Sequence, residues 1–166
     1  MTNQKKPQFC LTASGYLVND NKILLIKHKK LKTWMSPGGH LEEGELPFQA
    51  AEREFWEETG IKVKAIGYDS DDFMQVPFKC GLHWVCKENY QRRLENKGPL
   101  KKWKRGCEQH YDQGYLVRPI KDLNYKKNIE ETDGIAWFTV GEIDGLELFD
   151  DVKKSIIKAF GLRNNK

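Results

Sequence analysis

The alternation of apolar and polar residues predicts strands and helices in mixed order along the chain. Phe9 to Val18 is rich in β-forming residues, and the polar turn Asn19-Asp20-Asn21 separates it from the apolar run Lys22 to Lys27. This arrangement predicts a β-hairpin. A basic loop follows and leads to Ser36-Pro37-Gly38-Gly39, a cluster of residues that interrupt regular structure.

Two segments have helical periodicity. The first runs from Leu46 to about Thr59, with Pro47 suited to the first turn and Gly60 suited to the position just past the end. The second runs from Asp150 to Phe160. Its apolar positions, spaced at i, i+4, i+5 and i+8, are Val152, Ile156, Ile157 and Phe160.

The remaining apolar runs complete the predicted sheet. The further candidate strands are Ile61 to Ile66, Phe73 to Phe78, Gln109 to Ile120 and Ile135 to Val140. Strands and helices in this order predict an α+β fold. A length of 166 residues predicts one domain over residues 1–166.

Charge and hydropathy narrow the class of protein only slightly. The net charge of +4 is weak support for an anionic partner. The N-terminal residues MTNQKKPQFC lack the apolar core of a signal peptide, and no apolar run approaches the length of a membrane span. We therefore expect a cytoplasmic protein with no membrane partner, in which the four cysteines are free thiols.

The segment from Gly81 to Gly106 differs from the rest of the chain in charge. It carries eight basic and two acidic residues, a net charge of +6, together with Trp84, Tyr90 and Trp103. We predict a basic insertion between sheet elements. Basic residues interleaved with aromatic ones suit RNA binding, and a solvated loop or a dimer contact is the alternative. The sequence leaves open whether the protein is a monomer or a homodimer.

Cysteine and histidine residues recur at short spacings around this insertion. Cys80, His83 and Cys86 are each separated by two residues, and Cys107 precedes His110 by the same interval. These are zinc-type ligands. However, no pair repeats the Cys-x2-Cys spacing, and His110 falls within a predicted strand, so a structural zinc is not expected here.

The first predicted helix concentrates negative charge on one flank. At about 100° per residue, Glu54, Glu57 and Glu58 fall within an arc of about 100°, beside an apolar stripe that includes Ala51 and Phe55. Like charges at these spacings destabilise a helix. The positions expected to face solvent on the opposite side are Gln49, Glu52 and Trp56.

This carboxylate cluster has two interpretations. It is either a solvated acidic face or a site for a hard divalent cation such as Mg²⁺, which prefers oxygen ligands and substrate phosphates. In the second case the neighbouring Gly-Gly turn offers a backbone carbonyl as a further ligand. Such a metal would bridge phosphate oxygens and lower the pKa of an attacking water.

The wider pattern favours the metal site. Gly39-x5-Glu45-x7-Arg53-Glu54-Phe55-x-Glu57-Glu58-x-Gly60-Ile61 resembles the Nudix box at all nine defined positions within twenty-three residues. The surroundings, with Trp34 before the glycines and Trp137-Phe138 after an acidic stretch, are also similar to Nudix hydrolases. The resemblance implies an α/β/α sandwich around a mixed sheet. It also implies Mg²⁺- or Mn²⁺-dependent hydrolysis of a nucleoside diphosphate linked to another moiety X.

The resemblance also implies roles for residues of the box. Glu54 and Glu58 would be the main metal ligands, with Glu57 as a further ligand. The carbonyl of Gly39 would complete the set. Arg53 would support the site by pairing with Glu45, and a plain surface ion pair is the alternative for these two residues.

The general base has no fixed place in the family. Glu131, in the loop before the strand that bears Trp137, is the first choice, and Glu130 is the second. Glu57 is the candidate within the box. A solvated loop charge is the alternative for Glu130 and Glu131.

Residues for the moiety X are harder to predict. Lys27 and Lys29 could meet phosphates, and the aromatic rings that could stack on a base, or simply pack, are Trp34, Tyr111 and Tyr115. Pro77, sixteen residues past Ile61, resembles a feature of ADP-ribose pyrophosphatases, although a turn proline is the simpler explanation. The alternatives to a small-nucleotide hydrolase are an RNA 5′-end pyrophosphohydrolase that uses the basic insertion, a non-catalytic nucleotide-binding module and an isopentenyl-diphosphate isomerase on the same fold.

Overall fold

The structure is a computed structural model that describes residues 8–67, 75–95, 105–126, 130 and 132–164. Within these ranges the strands are β1 (Phe9–Tyr16), β2 (Val18–Asn19), β3 (Lys22–His28), β4 (Trp34–Met35), β5 (Gly38–His40), β6 (Val63–Ile66), β7 (Lys79–Trp84), β8 (Gln109–Pro119) and β9 (Thr132–Thr139). The α-helices are α1 (Pro47–Thr59), α2 (Lys87–Leu94) and α3 (Asp150–Asn164).

The described strands form two sheets. In the first, the order is β5-β1-β8-β6, with β7 also paired to β8. β1 runs parallel to β8, and the other pairs of this sheet are antiparallel. In the second sheet, β3 pairs with β2, β4 and β9, in each case antiparallel. The predicted mixed sheet and the α+β class are therefore confirmed.

The predicted hairpin at the N-terminal end is correct in its turn but not in its strands. Asp20 and Asn21 have φ angles of 48° and 57°, which are typical of a tight hairpin turn between β2 and β3. The predicted strand from Phe9 to Val18 is divided at Leu17, because β1 belongs to the first sheet and β2 to the second. The chain thus passes between the sheets at this buried leucine.

Helix α1 begins and ends where the sequence predicts. Pro47 lies in its first turn, and Gln49 Oε1 accepts a 3.0 Å hydrogen bond from the Leu46 N–H. Gly60 has a φ of 75°, and its N–H donates to the Trp56 carbonyl at 2.7 Å, which closes the last turn. Proline and glycine at these places set the length of the helix.

The apolar face of α1 packs closely on β1. Ala51 and Phe55 are fully buried, and a Cβ added at Gly15 would lie 2.8 Å from Phe55 Cδ2. On the other side, Gln49 and Trp56 are exposed as predicted. The prediction for Glu52 is wrong, because its carboxylate is half-buried and accepts a 2.8 Å hydrogen bond from the backbone N–H of Ala65.

The edge of the first sheet also differs from the prediction. A strand is predicted over Phe73 to Phe78. The part of it that the structure describes, residues 75–78, is not a strand, and β7 begins at Lys79. Residues 81–84 pair with β8, so they belong to the sheet, and the basic insertion predicted from Gly81 begins only after Trp84. Backbone pairing with β8, which is distant in sequence, sets this boundary, so the local sequence does not predict it.

Helix α3 covers one side of a second apolar cluster. Ile156, Ala159 and Phe160 are buried, whereas Ile157, which belongs to the same apolar pattern in the sequence, is 47% exposed. The helix continues beyond the predicted end at Phe160. Across the described ranges, none of the helices combines the length and apolar character that crossing a bilayer requires.

Candidate active site

Two adjacent glycines bring β5 against both β1 and α1. A Cβ at Gly38 would lie 2.5 Å from the carbonyl oxygen of Ala13, which is fixed backbone of β1. A Cβ at Gly39 would lie 2.5 Å from Cδ of Glu54, on α1. The Glu54 carboxylate therefore occupies the space that any larger residue at position 39 would need.

The guanidinium of Arg53 connects the helix to the loop before it. Nε and Nη2 donate to the two carboxylate oxygens of Glu45 at 2.8 and 2.9 Å, which is a bidentate ion pair. Nη2 also donates to the His40 carbonyl at 2.9 Å. Nη1 donates to Glu54 Oε1 at 2.9 Å and to Glu57 Oε2 at 3.1 Å. One side chain thus orients two of the three clustered carboxylates.

The ion pair between Arg53 and Glu45 remains charged at ordinary pH. The hydrogen bonds from Arg53 are the largest cause that lowers the pKa of Glu45, and the opposing effect of burial is smaller. The hydrogen bond to Glu45 likewise raises the pKa of Arg53. The brace predicted between these residues is therefore present in the structure as a partly buried, bidentate contact rather than a surface pair.

Glu58 is the most enclosed of the clustered carboxylates. It is 3% exposed, and its Oε2 accepts a 2.9 Å hydrogen bond from the Gly38 N–H. The side chain of Glu57, by contrast, is 42% exposed. Glu54 and Glu58 are thus held against the two glycines, and Glu57 lies nearer to solvent.

These residues fit a hard divalent cation. The donors that converge here are carboxylate oxygens on one flank of α1 and the backbone of the Gly38-Gly39 turn, and oxygen is the ligand that Mg²⁺ and Mn²⁺ prefer. The absence of a Cβ at Gly39 is what lets the Glu54 carboxylate approach the backbone of β5.

Comparison with known proteins assigns the family. The model of the NUDIX domain matches residues 9–160, which is nearly the whole chain. The chain belongs to the Nudix family. A hydrolase of the NUDIX family from Clostridium perfringens has the same fold, with a TM-score of 0.70 and 21% identity, over 92% of this chain and 96% of that one.

Curated relatives match this Nudix domain over shorter stretches. A "probable DHNTP pyrophosphohydrolase" from Lactococcus lactis is 37% identical over 73 residues, which cover 43% of this chain and 44% of that protein. A "MutT-like protein" from Streptomyces ambofaciens is 41% identical over 59 residues, 35% of this chain and 38% of that protein. The chain thus spans less than half the length of these relatives.

The residues predicted to meet the substrate of the Nudix domain lie in different environments. Tyr115 is 2% exposed within the core, and its hydroxyl donates to Gln113 Oε1 at 3.1 Å, so neither face of its ring is open to a base. Trp34 is half-buried and packs edge-on against Phe138, with ring centroids 4.8 Å apart. Tyr111 is 36% exposed.

The two lysines predicted to contact phosphate precede Trp34 in the sequence. Lys27 is half-buried on β3, where it pairs with Trp34 of β4. Lys29 is exposed in the loop that follows β3. The structure therefore brings Lys27 and Trp34 together, and Lys29 lies two residues after Lys27 along the chain.

The candidates for the general base outside the box fall in a sparsely described loop. Glu130 is exposed, and Glu131 lies outside the described residues. Asp133, two residues further, forms a 2.6 Å ion pair with Lys32. Residues 96–104 of the basic insertion also lie outside the described residues, and with them four of the eight basic residues on which the RNA alternative depends.

The cysteines do not group as their sequence spacing suggested. Cys80 is exposed, and the buried Cys107 contacts His40 instead, with 3.2 Å between Cys107 Sγ and His40 Nε2. Cys10 completes this group. Sequence reasoning missed Cys10 and His40 because they are distant in sequence from Cys107, and only the pairing of strands brings them together.

Proposed function

We propose that the protein hydrolyses the pyrophosphate linkage of a nucleoside diphosphate joined to another moiety X, with Mg²⁺ or Mn²⁺ as cofactor. The observation that carries this proposal is the contact of Glu54 with Gly39, together with the Arg53 guanidinium that holds both Glu54 and Glu57. Membership of the Nudix family and the pyrophosphohydrolase name of the Lactococcus relative support it.

The proposed metal ligands are Glu54, Glu58 and the Gly39 carbonyl, with Glu57 as a further ligand. A divalent cation bound there would neutralise charge on the pyrophosphate and lower the pKa of the attacking water. Glu58 is suited to this work because burial and the Gly38 N–H fix its position. Arg53 acts as a positioning residue, since it bonds the carboxylates and the His40 carbonyl rather than reaching outward.

Proton transfer from the attacking water requires a carboxylate that can reach solvent. Within the box, Glu57 meets this condition, because its side chain is 42% exposed. We therefore propose Glu57 or a glutamate of the loop at positions 130 and 131 as the general base. To identify the base, each candidate glutamate is replaced by glutamine in turn and kcat is measured against pH. The base is the residue whose replacement removes the fall of kcat on the acid side of the profile.

The metal assignment is tested with Glu54→Gln and Glu58→Gln. Both variants keep the size of the side chain, so we expect them to fold and to lose Mg²⁺-dependent turnover. Glu43→Gln is the matched control, because Glu43 is an exposed glutamate of the loop before α1. Near wild-type rates in both box variants would show that the metal ligands are assigned wrongly.

The moiety X is tested with a substrate panel in the presence of Mg²⁺. The panel contains ADP-ribose, NADH, diadenosine polyphosphates, nucleoside triphosphates, DHNTP, nucleotide sugars and 5′-triphosphorylated RNA. Release of a nucleoside monophosphate or of pyrophosphate reports which bond breaks. A binding module without activity would bind members of the panel and release neither product.

A further inference from the structure

Two thiols and an imidazole meet at one end of the first sheet. Cys10 lies on β1, His40 ends β5, and Cys107 lies two residues before β8. β1 runs between β5 and β8, with Thr12 opposite His40 and Cys10 opposite His110. Residues paired across strands share a face, so these side chains project from the same face of the sheet.

This face is the one turned away from α1. Ala13 and Gly15 of β1 point towards the helix, as the close approach of Gly15 to Phe55 shows, and the side chains that alternate with them point the other way. The thiol–imidazole cluster is therefore separated by the sheet from the carboxylates proposed to bind Mg²⁺. Only the backbone of His40 is shared, through its carbonyl bond to Arg53.

The donor atoms of the cluster are already close together. His40 Nε2 is 3.2 Å from Cys107 Sγ, and the donor atoms of Cys10, His40 and Cys107 all lie within 4.8 Å of one another. In a tetrahedral zinc site, bonds of about 2.3 Å to sulfur and about 2.0 Å to nitrogen place neighbouring ligand atoms roughly 3.5 to 3.8 Å apart. Small side-chain adjustments would thus bring all three onto one ion.

The surroundings also favour a neutral, metal-binding imidazole. His110 packs edge-on against His40, with ring centroids 4.8 Å apart, and its buried Nε2 makes no hydrogen bond to any residue that the structure describes. Both imidazole rings are half-buried in this part of the sheet. Neutral imidazoles offer a lone pair, which is the form that binds metals.

We propose that Cys10, His40 and Cys107 form a binding site for a thiophilic divalent ion of the Zn²⁺ class, separate from the Mg²⁺ site. Sulfur and imidazole nitrogen are the ligands that Zn²⁺ prefers and Mg²⁺ avoids. On binding, each thiol releases its proton to solvent, so two protons leave as one dication enters and the net charge of the site does not change.

A disulfide between Cys10 and Cys107 is the competing use of the two sulfurs. It would form with loss of two electrons to an external oxidant and would leave the 3.2 Å contact of His40 with Cys107 without a role. A metal uses all three donors. It would also fasten the end of the basic insertion, at Cys107, to the strand that leads into the box, at His40.

The test measures binding of Zn²⁺ and Co²⁺ to the full chain, purified with a chelator and kept reduced. We expect one thiolate-bound ion per chain, seen with Co²⁺ as a sulfur-to-metal charge-transfer band, which an ion at the carboxylate site does not give. Loss of a residue that merely orients a ligand lowers metal affinity about 10- to 100-fold, so Cys10→Ser and His40→Gln should lower it at least about 100-fold.

Two controls make the outcome decisive. Cys80→Ser removes an exposed cysteine outside the cluster, and Glu58→Gln alters the carboxylate site, so both should keep the charge-transfer band. Cys10 is half-buried and serine is close to it in size, so we expect Cys10→Ser to fold. This variant therefore tests the metal site even if a change at the buried Cys107 prevents folding. The proposal is overturned if the wild-type protein gives no band, or if Cys10→Ser binds Co²⁺ with the affinity and band intensity of the wild type.

Discussion

Replacing Gly39 with alanine would separate the effect of carboxylate position from the effect of folding. The new Cβ would lie 2.5 Å from Glu54 Cδ and 2.7 Å from Oε2, whereas ordinary contacts are 3.4 Å or longer. The carboxylate must therefore move by about 0.9 Å, and a displacement of about 1 Å at a reacting centre costs about 100-fold in rate. We expect kcat/KM to fall about 100-fold, which corresponds to about 2.7 kcal/mol of transition-state stabilisation.

The same substitution should have little effect on stability. Gly39 lies in a strand and is not among the glycines with positive φ, so alanine fits its backbone. The end of a glutamate side chain can also shift at small cost. Replacing glycine by alanine where the backbone allows it stabilises the folded protein by about 0.4 to 1 kcal/mol, because the unfolded chain loses conformational freedom. This gain offsets part of the local strain. We expect a Tm close to that of the wild-type protein.

Steady-state kinetics and thermal unfolding of three alanine variants provide the measurement. Gly141→Ala is the neutral control, because a Cβ there meets nothing within 4 Å. Gly38→Ala is the folding control, since its Cβ would meet the carbonyl of Ala13, which cannot move without distorting β1. Wild-type kcat/KM in a well-folded Gly39→Ala protein would refute the argument that the Glu54 position governs turnover.

Three further predictions concern the contacts around the site and within the sheet. Arg53→Lys loses the bidentate bond to Glu45 and should lower the free energy of unfolding by about 2 kcal/mol, measured by urea titration, while Arg118→Lys at an exposed position should not. The pKa of Glu45 is lowered from 4.5, so the stability that Glu45 contributes is fully present above pH 4.5 and is lost as the pH falls through the lowered pKa; Glu45→Gln should therefore be less stable than wild type at pH 7, and the difference should shrink as the pH is lowered below 4.5. Lys79→Met leaves the buried Asp112 carboxylate without its 3.1 Å ion pair and should lower the free energy of unfolding by about 3 kcal/mol. The double variant Lys79→Met/Asp112→Asn should regain a large part of that loss.

Each of these predictions has a contradicting outcome. Equal losses in the two arginine variants would mean that the fork geometry at position 53 is unimportant. A stability difference for Glu45→Gln that persists unchanged at acidic pH would show that packing, and not charge, is involved. If the double variant at positions 79 and 112 is no more stable than Lys79→Met, the buried carboxylate is satisfied by its bonds from Thr12 and Ser14 alone.

Local signals in the sequence were sufficient for the box helix. Pro47 and Gly60 define the two ends of α1, and the wheel correctly separates the buried stripe from Gln49 and Trp56. It fails for Glu52, because the partner of that carboxylate is the backbone of β6, and no helical pattern contains information about a strand that packs alongside. The pairing of Arg53 with Glu45 was implied by the family resemblance, but the bonds of Arg53 to Glu54, Glu57 and the His40 carbonyl were not predicted.

Contacts between distant segments were beyond local reasoning. β7 has little alternation, and it is a strand because its backbone pairs with β8 from Lys79 to Trp84. The short strands β4 and β5 lie where the sequence predicts only a loop, since their pairing partners are on β3 and β1. The grouping of Cys10, His40 and Cys107 depends on the strand order of the first sheet, which no spacing of cysteines along the chain reveals.

The Arg53 guanidinium has a consequence for metal exchange. It already serves as a counter-ion to Glu54 and Glu57 through one nitrogen, while its other two nitrogens hold Glu45 and the His40 carbonyl. An arriving dication would therefore compete with Nη1 alone, and the rest of the arginine fork would stay in place. Under the proposed metal assignment, Arg53 would offset part of the carboxylate charge when no cation is bound, and its bonds to Glu45 and the His40 carbonyl would keep the helix and its loop in place between turnovers.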